Sequence, residues 1–169
     1  MRQSVRWAIL ALGIGGCQRL ATGPALEAAW TGSDTGRITA RATAGWCERG
    51  GVLEVTGRRQ DLGFGIAIYP DGELQGGSYQ AFDPGVDTAR RPGVSAAARW
   101  FTETDLKGFQ SDSGGLELRS TQGALEGSFR FRMRSLDGRD TIDVQGQLRG
   151  IRPGACPAVD SMAQPTDIP

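Results

Sequence analysis

Arg130, Arg132 and Arg134 stand at alternate positions and are the residues best spaced to act together. On an extended strand their guanidinium groups lie about 7 Å apart on one face, where they can grip the phosphate or carboxylate groups of a lipid or glycan. A competing reading makes them a solvated face neutralised by the next strand. A turn at Asp137-Gly138 that sets Arg134 near Thr141 brings Arg132 opposite Asp143 and Arg130 opposite Gln145. The charge match makes the solvated face the first expectation and an anion site the second.

Other constellations are thinner. Asp137, Asp140 and Asp143 lack the alternating ligands and terminal Glu of a calcium loop, so no metal site is expected there. Ser111-Asp112-Ser113-Gly114-Gly115 has hydroxyls and a carboxylate but no base, and it reads as a turn. Lys107 has no Ser-x-x-Lys partner, and no Gly-x-Ser-x-Gly elbow occurs. Glu103 and Asp105 could form a glycosidase carboxylate pair, although chains of this size commonly hold such pairs. Trp30, Trp46 and Trp100 read as core or strand-cap residues, or as a platform for a sugar or apolar ligand if one lines a cleft. The 169 residues contain no histidine, which excludes histidine-based catalysis and His-ligated zinc. No cofactor is implied. The 19 basic and 19 acidic side chains give no net charge that would draw the chain to nucleic acid.

The elements that must position these residues are strands. Period-two alternation recurs over Arg37 to Thr43, Val52 to Thr56, Leu62 to Tyr69, Val94 to Thr102, Leu106 to Gln110, Leu116 to Thr121, Ala124 to Ser135 and Thr141 to Gly150. Pro70-Asp71-Gly72 signals a hairpin, with Leu74 to Phe82 as its returning strand. Asp83 to Gly93 reads as the longest loop, a frequent place for function. The 26 glycines and the absence of a long amphipathic pattern fit the same class. The expected fold is all-β: a single antiparallel β-sandwich or closed β-barrel of about eight or nine strands. Leu106-Lys107-Gly108-Phe109, Leu125-Glu126-Gly127-Ser128-Phe129, Gly76-Gly77-Ser78-Tyr79 and Trp30-Thr31-Gly32 loosely resemble phrases of avidin-type and lipocalin-type barrels. The likeness carries over no ligand residue, because glycine beside an aromatic also relieves crowding where strands bend.

The N-terminus reads as an address. Arg2 and Arg6 precede an apolar run from Trp7 to Gly16, too short to span a bilayer but matching the core of a secretory signal. Ile14-Gly15-Gly16-Cys17 resembles the lipobox of bacterial lipoproteins. That resemblance implies cleavage after residue 16, acylation of Cys17 and anchoring in membrane lipid, where two or three chains make a lasting hold. Gln18 in place of Asp implies the outer membrane if the cell has one. The expected organisation is a signal at 1–16, an acylated tether at 17–29, a β domain at 30–157 and a disordered tail at 158–169. Removing 1–16 leaves 17 basic and 19 acidic side chains, a formal −2. Cys47 and Cys156 remain, and in an oxidising compartment they are expected to form a disulfide.

The leading expectation is therefore a membrane-anchored envelope lipoprotein acting as a non-catalytic binding or structural module. One alternative is a barrel carrying a small apolar ligand against Phe64, Ile66, Phe129 and Phe131. Another is a carboxylate-dependent envelope hydrolase.

Overall fold

A computed structural model describes residues 23–47, 51–84, 91–102, 105–121 and 123–156. The lipobox, Glu103 and the C-terminal tail lie outside these residues. The described chain is all-β. Its strands are β1 (Ala25–Gly32), β2 (Gly36–Cys47), β3 (Val52–Arg59), β4 (Leu62–Tyr69), β5 (Gly77–Gln80), β6 (Gly93–Phe101), β7 (Leu106–Thr121), β8 (Ala124–Ser135), β9 (Thr141–Ile151) and β10 (Pro153–Ala155).

Eight strands close an antiparallel barrel in the order β1-β2-β3-β4-β6-β7-β8-β9, with β9 returning to β1. Two short strands stand outside this cycle. β5 pairs with Gly115 to Leu118 of β7, and β10 pairs in parallel with Ala44 to Trp46 of β2. The barrel is thus the closed member of the two expected architectures.

The alternation seen in the sequence places the core. Along β2, Ile38, Ala40, Ala42 and Ala44 point inward while Arg37, Thr39, Arg41 and Thr43 point to water. Along β8, Leu125, Phe129, Phe131 and Met133 are buried beside exposed Arg130, Arg132 and Arg134. Small inward residues such as Ala40, Ala96 and Ala98 leave volume for the large ones, as a narrow barrel demands. The outward face is polar along β2 and β8, while β4 presents Gly63, Gly65, Ala67 and Tyr69 there. Among the described residues no helix is long and apolar enough to cross a membrane.

Phe64, Ile66, Phe129 and Phe131 fill the interior. Each is 2% exposed. Phe129 stacks on Phe64 with centroids 5.6 Å apart and on Phe131 at 5.4 Å. The side chains considered as the lining of an apolar chamber are therefore packed against one another. A second aromatic stack, Trp30 on Trp100 at 5.2 Å and Trp100 on Phe109 at 5.1 Å, fills the end of the barrel at the β1–β2, β3–β4, β6–β7 and β8–β9 turns. Trp30 and Trp100 are thus core residues, while Trp46 packs half-buried against the core. The Cys47–Cys156 disulfide lies at the opposite end, tying the close of β2 to the residue after β10.

Three local expectations differ from the structure. β1 opens at Ala25, so Ala25 to Ala29, assigned to the tether, belong to the barrel; alanines and Pro24 conceal a strand whose Leu26 is fully buried. The segment after Pro70-Asp71-Gly72 does not return along β4. β4 is already flanked by β3 and β6, and only Gly77–Gln80 forms a strand, on β7. Ser111 to Gly115 is no turn but the middle of β7, with a bulge between Ser111 and Ser113. The bulge changes the hydrogen bonding there: the buried Ser111 hydroxyl accepts from the Ala96 amide at 2.9 Å and donates to the Phe82 carbonyl at 3.4 Å. In the long loop, Arg91 acts as a staple, its Nη1 donating to the carbonyls of Gly51 at 2.8 Å and Pro70 at 3.0 Å.

Candidate functional site

The β8–β9 register matches the expectation pair by pair: Arg130 lies opposite Gln145, Arg132 opposite Asp143 and Arg134 opposite Thr141. The expected neutralisation is differently distributed. Arg134 pairs with Asp112, at the β7 bulge, with an Nη2 to Oδ2 distance of 3.3 Å. Arg132 and Asp143 share the register position without an ion pair. Among the described residues, the pairs formed are Lys107–Asp34, Arg134–Asp112, Arg139–Asp137 and Arg149–Glu27, which leaves Arg130 and Arg132 without a carboxylate.

Both free arginines border a depression on the outer face of the barrel. Its larger part, about 960 Å³, runs from β2 across β1, β9, β8 and β7 to β5. A smaller part of about 440 Å³ continues past Arg130 to Arg132 and Asp143. Arg130 and Gln145 line both parts. Around them stand Arg37, Thr39, Gln80 and Ser128 together with two carboxylates, Glu117 and Glu27, the latter held by Arg149.

Close packing makes the floor low. A Cβ on Gly146 would run into the Glu27 carbonyl and the Phe129 ring beneath it. Gly114 has φ +105° and sits against the Arg130 carbonyl, a conformation and a gap suited only to glycine. Gly146 thus lets β9 approach β1 over the Phe129 ring, and Gly114 lets β7 approach β8. Exposed guanidinium groups on this face suit a flat or extended anionic ligand that can lie on the sheet.

The remaining candidates have structural partners. The Lys107 ammonium is 3.0 Å from Asp34 Oδ2, bracing two turns at one end of the barrel. Asp137 accepts the Ser135 hydroxyl at 2.5 Å and the Arg139 amide at 3.2 Å. The Ser135 bond, then the Arg139 amide, hold its carboxyl below the usual carboxylate range. Asp105 accepts the Leu106 amide at 2.8 Å within the β6–β7 turn. Among the described residues no group of three or more Cys, Asp or Glu is placed to hold a metal ion.

No protein-family model, curated protein or solved structure matches the chain. The site is accordingly read from its own chemistry. Arg130 and Arg132 were visible in the sequence as an alternating row. Arg37, Thr39, Ser78 and Gln80 were not, because β2 and β5 reach the depression only through pairings distant in sequence.

Proposed function

We propose that this protein is an envelope lipoprotein, held by acylated Cys17 to the bacterial outer membrane where one is present, whose barrel is a non-catalytic binding module for an anionic polar ligand such as a phosphate- or carboxylate-bearing glycan. The observation that carries the binding reading is the unpaired Arg130 and Arg132 bordering the outer-face depression. The filled interior supports placing the ligand outside, since Phe64, Phe129 and Phe131 occupy the space a carrier would reserve. The anchor is supported by the order of charge, apolar run, small residues and cysteine at the N-terminus.

Two measurements test this reading. Intact-mass analysis of the membrane fraction is expected to show an N-terminus at Cys17 with added acyl mass, and Cys17→Ser is expected to release the protein; an unacylated mature chain overturns the anchor. Titration with anionic and neutral oligosaccharides tests the site. Binding should favour the anionic series, and Arg130→Gln with Arg132→Gln should weaken it by roughly 1.5–3 kcal/mol per charge-assisted bond lost, with the melting temperature unchanged. Equal affinity of the double variant and the parent protein would remove the outer-face site.

A further inference from the structure

The chain enters the barrel through Gly23 and Pro24, beside a separate outer-face groove of about 710 Å³. Pro24 is held to β2 there, its carbonyl accepting the Ala42 amide at 3.1 Å. β1 lies between β2 and β9, and its first residue, Ala25, is paired with Arg41 on one side and Arg149 on the other. Arg152, just beyond β9, completes a groove whose charged lining is three arginines and one carboxylate, Glu126. Arg149 is engaged by Glu27, which leaves Arg41 and Arg152 exposed and without an ion pair among the described residues.

Arg41, Arg149 and Arg152 gather where the chain enters, and exposed Asp71 and Glu73 lie in the β4–β5 connection, where Arg91 bonds the Pro70 carbonyl. Only six peptide steps separate Cys17 from Gly23, so the chain can place the groove at most about 20 Å from an acylated Cys17. A lipid anchor would hold these arginines within a few Debye lengths of the headgroups, and within one when the barrel tilts toward them. Near an anionic bilayer each basic side chain adds attraction.

We infer that the Arg41–Arg149–Arg152 groove docks on anionic phospholipid headgroups of the membrane that holds the acyl chains. The inference rests on the anchor reading and adds an orientation: the side where the chain enters, formed by β1, the end of β2 and the end of β9, lies on the bilayer.

The test uses the full acylated chain reconstituted in phosphatidylcholine vesicles with and without phosphatidylglycerol. Arginine-selective labelling with phenylglyoxal, read by mass spectrometry, reports each side chain. Arg41 and Arg152 are expected to be labelled about fivefold more slowly in the anionic vesicles, with the difference abolished by high salt. Arg139, in the turn at the opposite end with its side chain 85% exposed, should react equally in both. Flotation with neutral vesicles reads the anchor alone. Protein that floats but shows no difference at Arg41 and Arg152, or an equal difference at Arg139, overturns the docking inference and leaves the anchor standing. Protein that fails to float with neutral vesicles overturns the anchor and the docking together.

Discussion

Replacing Phe129 by alanine is expected to lower the stability of the barrel by about 3–5 kcal/mol, the range for deleting a large aromatic from a packed core. Phe129 is 2% exposed and central to the interior, stacked on Phe64 and on Phe131. Its ring also lies under Gly146, in the space a side chain there would claim. Neighbours held in a closed barrel cannot collapse into the gap, so the cavity cost adds to the lost transfer energy. For a domain of this size each kcal/mol shifts the melting temperature by about 2–4 °C, so a fall of about 6–20 °C is expected by calorimetry. The measurement bears on function as well. A loss below about 1 kcal/mol would mean that the interior tolerates empty volume, and the reading that puts the ligand outside the barrel would lose its support.

Removing the Cys47–Cys156 bridge is expected to cost up to about 4–5 kcal/mol, most of it through the unfolded chain. The bond joins residues 109 apart in sequence and so restricts nearly the whole described domain when it is unfolded. In the folded state its effect is local. β10 is three residues long and is paired to β2 only, in parallel. Cys47→Ser with Cys156→Ser should therefore lower the guanidinium midpoint and expose the amides of Gly154 and Ala155 to fast hydrogen exchange, while β8 and β9 stay protected until global unfolding. An unchanged midpoint would show that the bridge does not constrain the unfolded chain. Retained protection in β10 would show that strand pairing alone holds the C-terminal segment.

The parts of the fold that could be read in advance are those whose information is local. β8 and β9 were legible almost to the residue, with their register, because alternation and the Asp137-Gly138 turn specify a hairpin without help from elsewhere. β4 was bounded correctly at Leu62 and Tyr69 for the same reason. The pairing of Cys47 with Cys156 followed from cysteine arithmetic. Reading failed where neighbours decide. Pro70-Asp71-Gly72 is a sound hairpin signal, yet β6 occupies the edge of β4 that a returning strand would need. Ser111 to Gly115 has the composition of a turn, but pairing with β8 on one side and β5 on the other draws it into one long bulged strand. β1 was hidden because alanines alternate weakly in hydrophobicity, and only the flanking β2 and β9 make its inward positions buried.

The candidate site divides along the same line. Alternation alone placed Arg130, Arg132 and Arg134 on one outward face, since side chains two apart on a strand must share a face. Which of them remains free was decided by the bulge, which brings Asp112 to Arg134 and leaves Arg130 and Arg132 unpaired. The sequence by itself determined an all-β chain, the polarity of its two faces, one disulfide and the hairpin that carries the arginines, because each depends on period, turn chemistry or count. Tertiary structure decided between sandwich and barrel, filled the interior and assembled the outer depression. Closure depends on β1 pairing with both β2 and β9, and the depression depends on β2 and β5 meeting β7 to β9 across distances in sequence that no local pattern records.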